Sequence, residues 1–335
     1  MTAAAVTVAA AARRQQLVRA LRWALAVGAA AGAVAWIAYK AHGDMPTFVL
    51  VTLNGLTLAG LLFVVASGFT LVFGVMRVVN MAHGSFYLLG GYVAFDVMDS
   101  TGNFLLSLLA GAGAVAVVGL VVQQLLLRWN QGEELRQALI TIALAIILAD
   151  QMLAHFGATP ELLSIPTWLD RGVAIHVYAL QYPLFRLSVL GLAVALGILL
   201  WLWIAKTRLG MTIRAGVDDR QMVSALGINI QLVFAVAFLV GAALAGLGGG
   251  IGVAYSGIAP GEDAKFLLNS LVVVIVGGMG SLGGAATGAL LLGLVTSYSQ
   301  IYLPTNWTNY SILFTFVLMV VVLALRPFGV FGRPA

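Results

Sequence analysis

Residues 68–92 read GFTLVFGVMRVVNMAHGSFYLLGGY, from Gly68 to Tyr92. Apolar residues run into a single arginine, Arg77, break at Asn80-Met81-Ala82-His83-Gly84, and resume with no loop of ordinary length between them. Two membrane-depth segments joined by a handful of polar residues predict a broken or re-entrant helix. Inside a bilayer such irregular backbone persists only where protein buries it or water reaches it. The stretch is therefore a candidate wall of a translocation pathway.

The whole chain reads the same way. Of its 335 residues 61% are hydrophobic and 9% charged, against about 25% charged in soluble domains. This is the composition of an all-α, polytopic membrane protein. Cysteine is absent, which excludes disulfides, thiolate metal sites and cysteine nucleophiles. The four histidines are not spaced as a metal site, and no catalytic constellation, metal or cofactor is expected.

Hydropathy places about ten crossings, near 23–41, 47–74, 80–98, 104–127, 138–157, 185–205, 231–253, 266–279, 284–302 and 307–325. Residues 1–22 form a basic extension, and 23–335 one transmembrane domain. The apolar run over 23–41 continues past Ala33-Val34-Ala35, which favours a retained first helix over a cleaved signal peptide. With both termini in the cytoplasm, all of the 17 Lys and Arg residues except Lys40, Arg171, Arg186 and Lys265 lie inside, as the positive-inside rule requires. The basic excess of +5 thus follows from topology and calls for no nucleic acid.

The second crossing is too long for a bilayer core of about 30 Å, which predicts a break near Gly68 or Gly74. The outer loop 158–184 alternates at Val173, Ile175 and Val177, the pattern of a short hairpin. Within the inner loop 206–230, Asp218 or Asp219 is a ready N-cap. Residues Gln221 to Leu226 then suit a short helix, and Gly227 a C-terminal stop. So short a helix is not stable alone. It is predicted to seat on a cytosolic partner; the alternative is a basic loop lying on anionic lipid.

Asn80, His83 or Gly84, Tyr87 and Gly91 make one polar and small stripe on the third crossing, with His83 either hydrogen-bonded structurally or lining a path. Gly280, Gly284 and Gly288, and likewise Gly241, Ala245 and Gly249, recur every four residues, the spacing of close helix packing. The Gly277–Ser281 break offers free N–H groups that are candidates to meet a carboxylate. Leu53-Asn54-Gly55-Leu56 and Leu268-Asn269-Ser270-Leu271 each precede such a break, a faint internal repeat. The path candidates are Asn54, Ser67, Thr70, Asn80, His83, Tyr87, Asn269 and Ser281. Asp150, in the outer half of its helix, is the one acidic residue placed at membrane depth.

Four ordered segments then carry a resemblance: GFTLVFGVMRVVNMAHGSFYLLGGYVA, RLGMTIRAGVDDRQMVSALGI, GGMGSLGGAATGALLLG and RPFGVFGR. Together they resemble the membrane-spanning permease of branched-chain amino-acid ABC importers, the LivH type, over about residues 47–333. The resemblance implies a translocation subunit of a bacterial inner membrane, without its own ATPase. Its implied partners are a second homologous permease, two cytosolic ATP-binding subunits and a periplasmic solute-binding protein. The ATPase contact falls on Arg214, Asp218, Asp219, Arg220, Ala225 and Gly227. Relatives also carry urea, short amides and aromatic acids, so the substrate does not transfer. Consistently, the chain has no GxxxxGK[ST] phosphate loop. Against this stand an ion-driven secondary transporter, which requires paired intramembrane charges, and a passive solute channel, in which the inner helix has no purpose. A membrane enzyme lacks the clustered acids, His or nucleophile–base pairs.

Overall fold

A computed structural model describes residues 42–175, 180–218, 229–304 and 311–332, with isolated positions 28, 32, 35, 39, 223 and 227. The described helices are α1 (Met45–Met76), α2 (His83–Thr101), α3 (Phe104–Val122), α4 (Glu134–Phe156), α5 (Leu184–Lys206), α6 (Arg208–Asp218), α7 (Ile230–Ser256), α8 (Glu262–Gly277), α9 (Leu282–Tyr302) and α10 (Ser311–Leu325). Helix α3 runs on through a π turn (Gln123–Leu127) and a 3₁₀ turn (Arg128–Asn130). Two strands, β1 (Gly172–Ile175) and β2 (Leu180–Pro183), pair antiparallel with Val173 opposite Tyr182, the hairpin expected from the alternation. Among the described residues six helices are long and apolar enough to cross a membrane: α1, α3 with its continuation, α4, α5, α7 and α9. The first expected crossing lies almost wholly outside the described residues.

Local chemistry sets the helix ends. Asp44 caps α1, its carboxylate accepting from Thr47 N at 3.1 Å, and Pro46 occupies the first turn where no N–H is needed. That hydrogen bonding holds the Asp44 carboxyl below its usual range. Asn103, Asn229 and Ser281 cap α3, α7 and α9 with their side-chain oxygens.

Helices α1 and α7 form the centre. Over half of the most apolar window of each is buried (56%), against 11% in α4 and α5 at the periphery. In hydrocarbon there is no water to drive helices together, so close backbone approach and van der Waals contact hold them. Gly68 of α1 and Gly241 of α7 face each other: a Cβ on Gly241 would lie 2.8 Å from the Gly68 carbonyl. Gly90 (α2), Gly111 (α3) and Gly246 (α7) form a second node. A Cβ on Gly90 would overlap Gly246, one on Gly111 would reach the Gly90 carbonyl at 2.5 Å, and one on Gly246 the Gly111 carbonyl at 2.7 Å.

These contacts correct one expectation. Helix α1 does not break at Gly68 or Gly74; it is continuous for 32 residues and ends at Arg77 in the left-handed region (φ 56°). Gly68 is needed for the approach of α7. A Cβ on Gly74 would stand 3.2 Å from Gly280 Cα. Small residues at contacts and small residues at breaks are the same letters in a sequence.

Candidate functional site

The break itself is real and begins at Arg77, three residues beyond Gly74. After Met76 the chain is non-helical through Ala82, and α2 opens at His83. The His83 Nε2–H donates to the Val65 carbonyl at 2.9 Å; a carbonyl only accepts, so the proton sits on Nε2. Val65 lies eleven residues before the end of α1, about 16 Å along a helix axis. Residues 77–82 therefore lead the chain back to the depth of mid-α1 before α2 starts. Asn80 shapes the re-entry: its side-chain oxygen accepts from Ala82 N (3.1 Å) and its carbonyl from His83 N (3.2 Å). Thr141 of α4 accepts from Met81 N at 3.2 Å.

Around this point the structure gathers several candidates. His83 is buried and meets Phe69 edge-on (5.3 Å, 84°). Tyr87, one turn on, is buried and stacks on Phe266 of α8 (3.8 Å, 18°), its carbonyl pressed against Gly249 of α7. Ser67 and Thr70 are buried and spend their hydroxyls on their own helix, on the Val64 and Ala66 carbonyls (2.8 Å each). Asn269 is half-buried on α8.

The second break mirrors the first. Helix α8 ends at Gly278 (φ 106°), whose N–H bonds the Val274 carbonyl at 2.9 Å, as Arg77 N bonds Phe73 O at 2.8 Å after α1. The N–H groups expected to face a carboxylate are partly taken: Ser281 Oγ accepts from Gly284 N at 3.0 Å. Gly284 and Gly288 lie against the Gly277 and Val273 carbonyls, so that α9 folds tightly back on α8. The C-terminal segment covers the turn, with Val330 N on Val276 O and Phe331 N on Gly277 O, both 2.9 Å.

At the basic end, which carries Arg128, Arg136, Lys206 and Arg208, residues 208–218 form helix α6 where the sequence predicts loop. Thr207 provides the missing signal, its hydroxyl accepting from Gly210 N at 3.0 Å. A Cβ on Gly210 would overlap the Trp203 and Ile204 carbonyls, so glycine permits the sharp α5–α6 turn. Ile213 and Val223 are buried, while Arg208, Leu209, Met211 and Arg214 are exposed. Asp218 is the last residue of α6; Asp219, Arg220 and Ala225 lie outside the described residues, and Gly227 is exposed with φ 78°. Asn229 then caps α7, and Gln131 and Gln231 exchange amide bonds of 2.7 and 2.9 Å, tying this loop's exit to the end of α3.

Comparison with known proteins settles what this assembly of breaks belongs to. The family model described as the permease component of branched-chain amino acid transport systems matches residues 51–323, from the second turn of α1 into α10. The chain belongs to this permease family. It is 29% identical over 297 residues to the high-affinity branched-chain amino acid transport system permease protein BraD of Pseudomonas aeruginosa, covering 84% of this chain and 94% of that one. Identity to LivH of Escherichia coli is 29% over 299 residues, with the same coverage. A probable LivH of Methanocaldococcus jannaschii is 27% identical over 288 residues, covering 82% and 89%. No solved structure matches.

For a permease of this family the sequence points to Asn54, but not to its company. At the end carrying the hairpin, Asn54 Oδ1 accepts from Tyr182 OH of β2 (3.1 Å) and from Arg186 of α5. Thr57 Oγ1 bridges to Tyr182 OH at 3.0 Å, and the Arg186 guanidinium lies over the Tyr255 ring of α7 at 5.3 Å. Tyr182 and Arg186 are more than 120 positions from Asn54 in the chain, so no local pattern links them. Asp150 is exposed on α4 and pairs with no cation among the described residues; the two ion pairs described are i,i+3 surface pairs, Arg136–Glu133 and Lys265–Glu262. The paired intramembrane charges of a secondary transporter are thus absent among the described residues.

Proposed function

We propose that this chain is the translocating subunit of an ATP-driven, binding-protein-dependent importer for branched-chain or other hydrophobic amino acids, or related small organic solutes. The observation that carries the reading is the family match, which runs through both breaks and the basic-end loop, together with relatives named as high-affinity branched-chain amino acid permeases. It sits in the bacterial inner membrane with the hairpin end periplasmic and the basic end cytoplasmic. A second homologous permease completes the pathway. Two ATP-binding subunits supply the energy this chain cannot generate, having no phosphate loop, and a periplasmic binding protein delivers the solute.

The solute passes the layer of Ser67, Thr70, Asn80, His83, Tyr87, Asn269 and Ser281. The segment from Arg214 through Asp218, Asp219, Arg220 and Ala225 to Gly227 receives the ATPases. Ile213 is buried in the cluster formed with α1, α5 and α7, so a push on the segment is passed to those helices rather than absorbed by a loose loop.

The test uses the complex reconstituted in liposomes, with uptake and ATPase followed as each candidate ligand-loaded binding protein is added. Replacing Gly227 with Val, or Asp218 and Asp219 together with Ala, is expected to abolish uptake while the binding protein still docks. Normal uptake with all three altered contradicts the coupling assignment; tagged chain that brings down no ATP-binding protein contradicts the importer reading.

A further inference from the structure

We infer that Arg186 and Asn54 form a carboxylate-binding site at the hairpin end of the permease, where an incoming solute's carboxylate is first held. The inference rests on the importer reading for its occupant, but its chemistry comes from the side chains themselves.

Arg186 sits in the first turn of α5, half-buried, and forms no ion pair among the described residues. A guanidinium carries five N–H donors and no acceptor. The partners described for this one are Asn54 Oδ1 and the face of Tyr255. Because arginine cannot accept, the Asn54 atom facing it is the carbonyl oxygen. That choice turns the Asn54 amide nitrogen away, and Nδ2 bonds no other described residue. The oxygen is doubly used, since Tyr182 OH also donates to it at 3.1 Å. What remains available at this point is donors: the unused guanidinium N–H groups and the two amide hydrogens. A donor-only cluster around a fixed positive charge recognises an oxyanion, and arginine matches a carboxylate in two parallel bonds.

Its direction separates this arginine from one that merely reaches the headgroups. A snorkelling side chain turns outward along the helix to water. Arg186 instead bonds α1 and lies over a ring of α7, the two central helices, and Tyr182 beneath it is buried. Thr57 and the hairpin hold that geometry in place.

The deciding variant is Asn54→Asp, which keeps the shape and gives Arg186 a carboxylate inside the protein. A structural anchor is strengthened by this change; an anion site is filled by it. With leucine as probe in the reconstituted complex, Asn54→Asp and Arg186→Gln are each expected to raise the KM for uptake at least about tenfold, the loss of a charge-assisted bond. Arg186→Lys restores part of it. The thermal midpoint of Asn54→Asp does not fall, and docking of the binding protein is unchanged. Uptake at the normal KM in Asn54→Asp overturns the proposal, as does lost docking, which assigns Arg186 to the binding protein. A defect seen only in liposomes containing phosphatidylglycerol, and not in phosphatidylcholine alone, also overturns it in favour of a lipid phosphate. A second measurement stands even if the complex imports no amino acid. Leucine, and not leucinamide, is expected to raise the thermal midpoint of the purified wild-type complex, and neither that of Asn54→Asp. Equal shifts by both probes overturn the site.

Discussion

Gly249→Val in the full chain is expected to leave little folded permease in the membrane and to lower its stability by about 3 kcal/mol, the upper end of overpacking costs. A Cβ on Gly249 overlaps the Tyr87 carbonyl and lies 2.7 Å from Gly91 N. Both are backbone atoms of α2, so no side chain can rotate aside; the helix axis itself has to move. Moving it pulls Tyr87 off Phe266 and His83 off the Val65 carbonyl, because all three contacts share α2. The loss thus reaches the re-entrant layer and not only the α2–α7 seam. Gly113→Ala is the control, since nothing lies within 4 Å of a Cβ there; it is expected within about 0.5 kcal/mol of wild type, as for surface positions. Thermal or detergent-unfolding midpoints of the purified proteins measure both. A Gly249→Val protein that unfolds at the wild-type midpoint removes the basis for treating α7 as the hub.

Truncation after Leu325 is expected to destabilise the permease by about 2 kcal/mol or more and to suppress uptake. Helix α8 ends at the second break, and the last carbonyls of a helix have no intrahelical partner. Here Val330 N and Phe331 N satisfy the Val276 and Gly277 carbonyls at 2.9 Å, and Gly329 lies against Gly278. A buried acceptor left unpaired costs about 1–3 kcal/mol, and truncation exposes two. Gly329→Val probes the same clasp with a single change. Its φ of 80° is unfavourable for any side chain, and a Cβ there would meet Gly278 N at 2.5 Å. Phe331→Ala, by contrast, trims an exposed side chain and leaves the backbone bonds in place, so little change is expected. If the truncated chain keeps its midpoint and its uptake, the C-terminal segment is a tail and not a clasp.

Much of the architecture is legible in the letters. Long apolar runs locate the crossings because a bilayer demands internally satisfied backbone, and the polar interruption at Asn80–Gly84 marks re-entry for the same reason. Val173 and Ile175 reveal the hairpin through strand alternation. Elsewhere a local reading assigns the wrong cause. Gly68 and Gly74 read as a break, yet they are contact points for α7 and the second break. Residues 208–218 read as part of the inner loop between two apolar runs, while the Thr207 cap and burial of Ile213 make the helix.

The sequence by itself determined a greasy, many-pass, cysteine-free chain with two interrupted segments and a basic face, since composition and the solvent properties of lipid are enough for that. Only the tertiary structure decided which glycines touch which backbones, that His83 sits beside Val65, and that Arg186 is held inward by Asn54 and Tyr255. Those relations join residues as far apart in the chain as Gly74 and Gly280, and the energy that fixes them is van der Waals contact and hydrogen bonding between helices. A linear pattern carries the capacity for such contacts, but their partners are chosen when the helices pack.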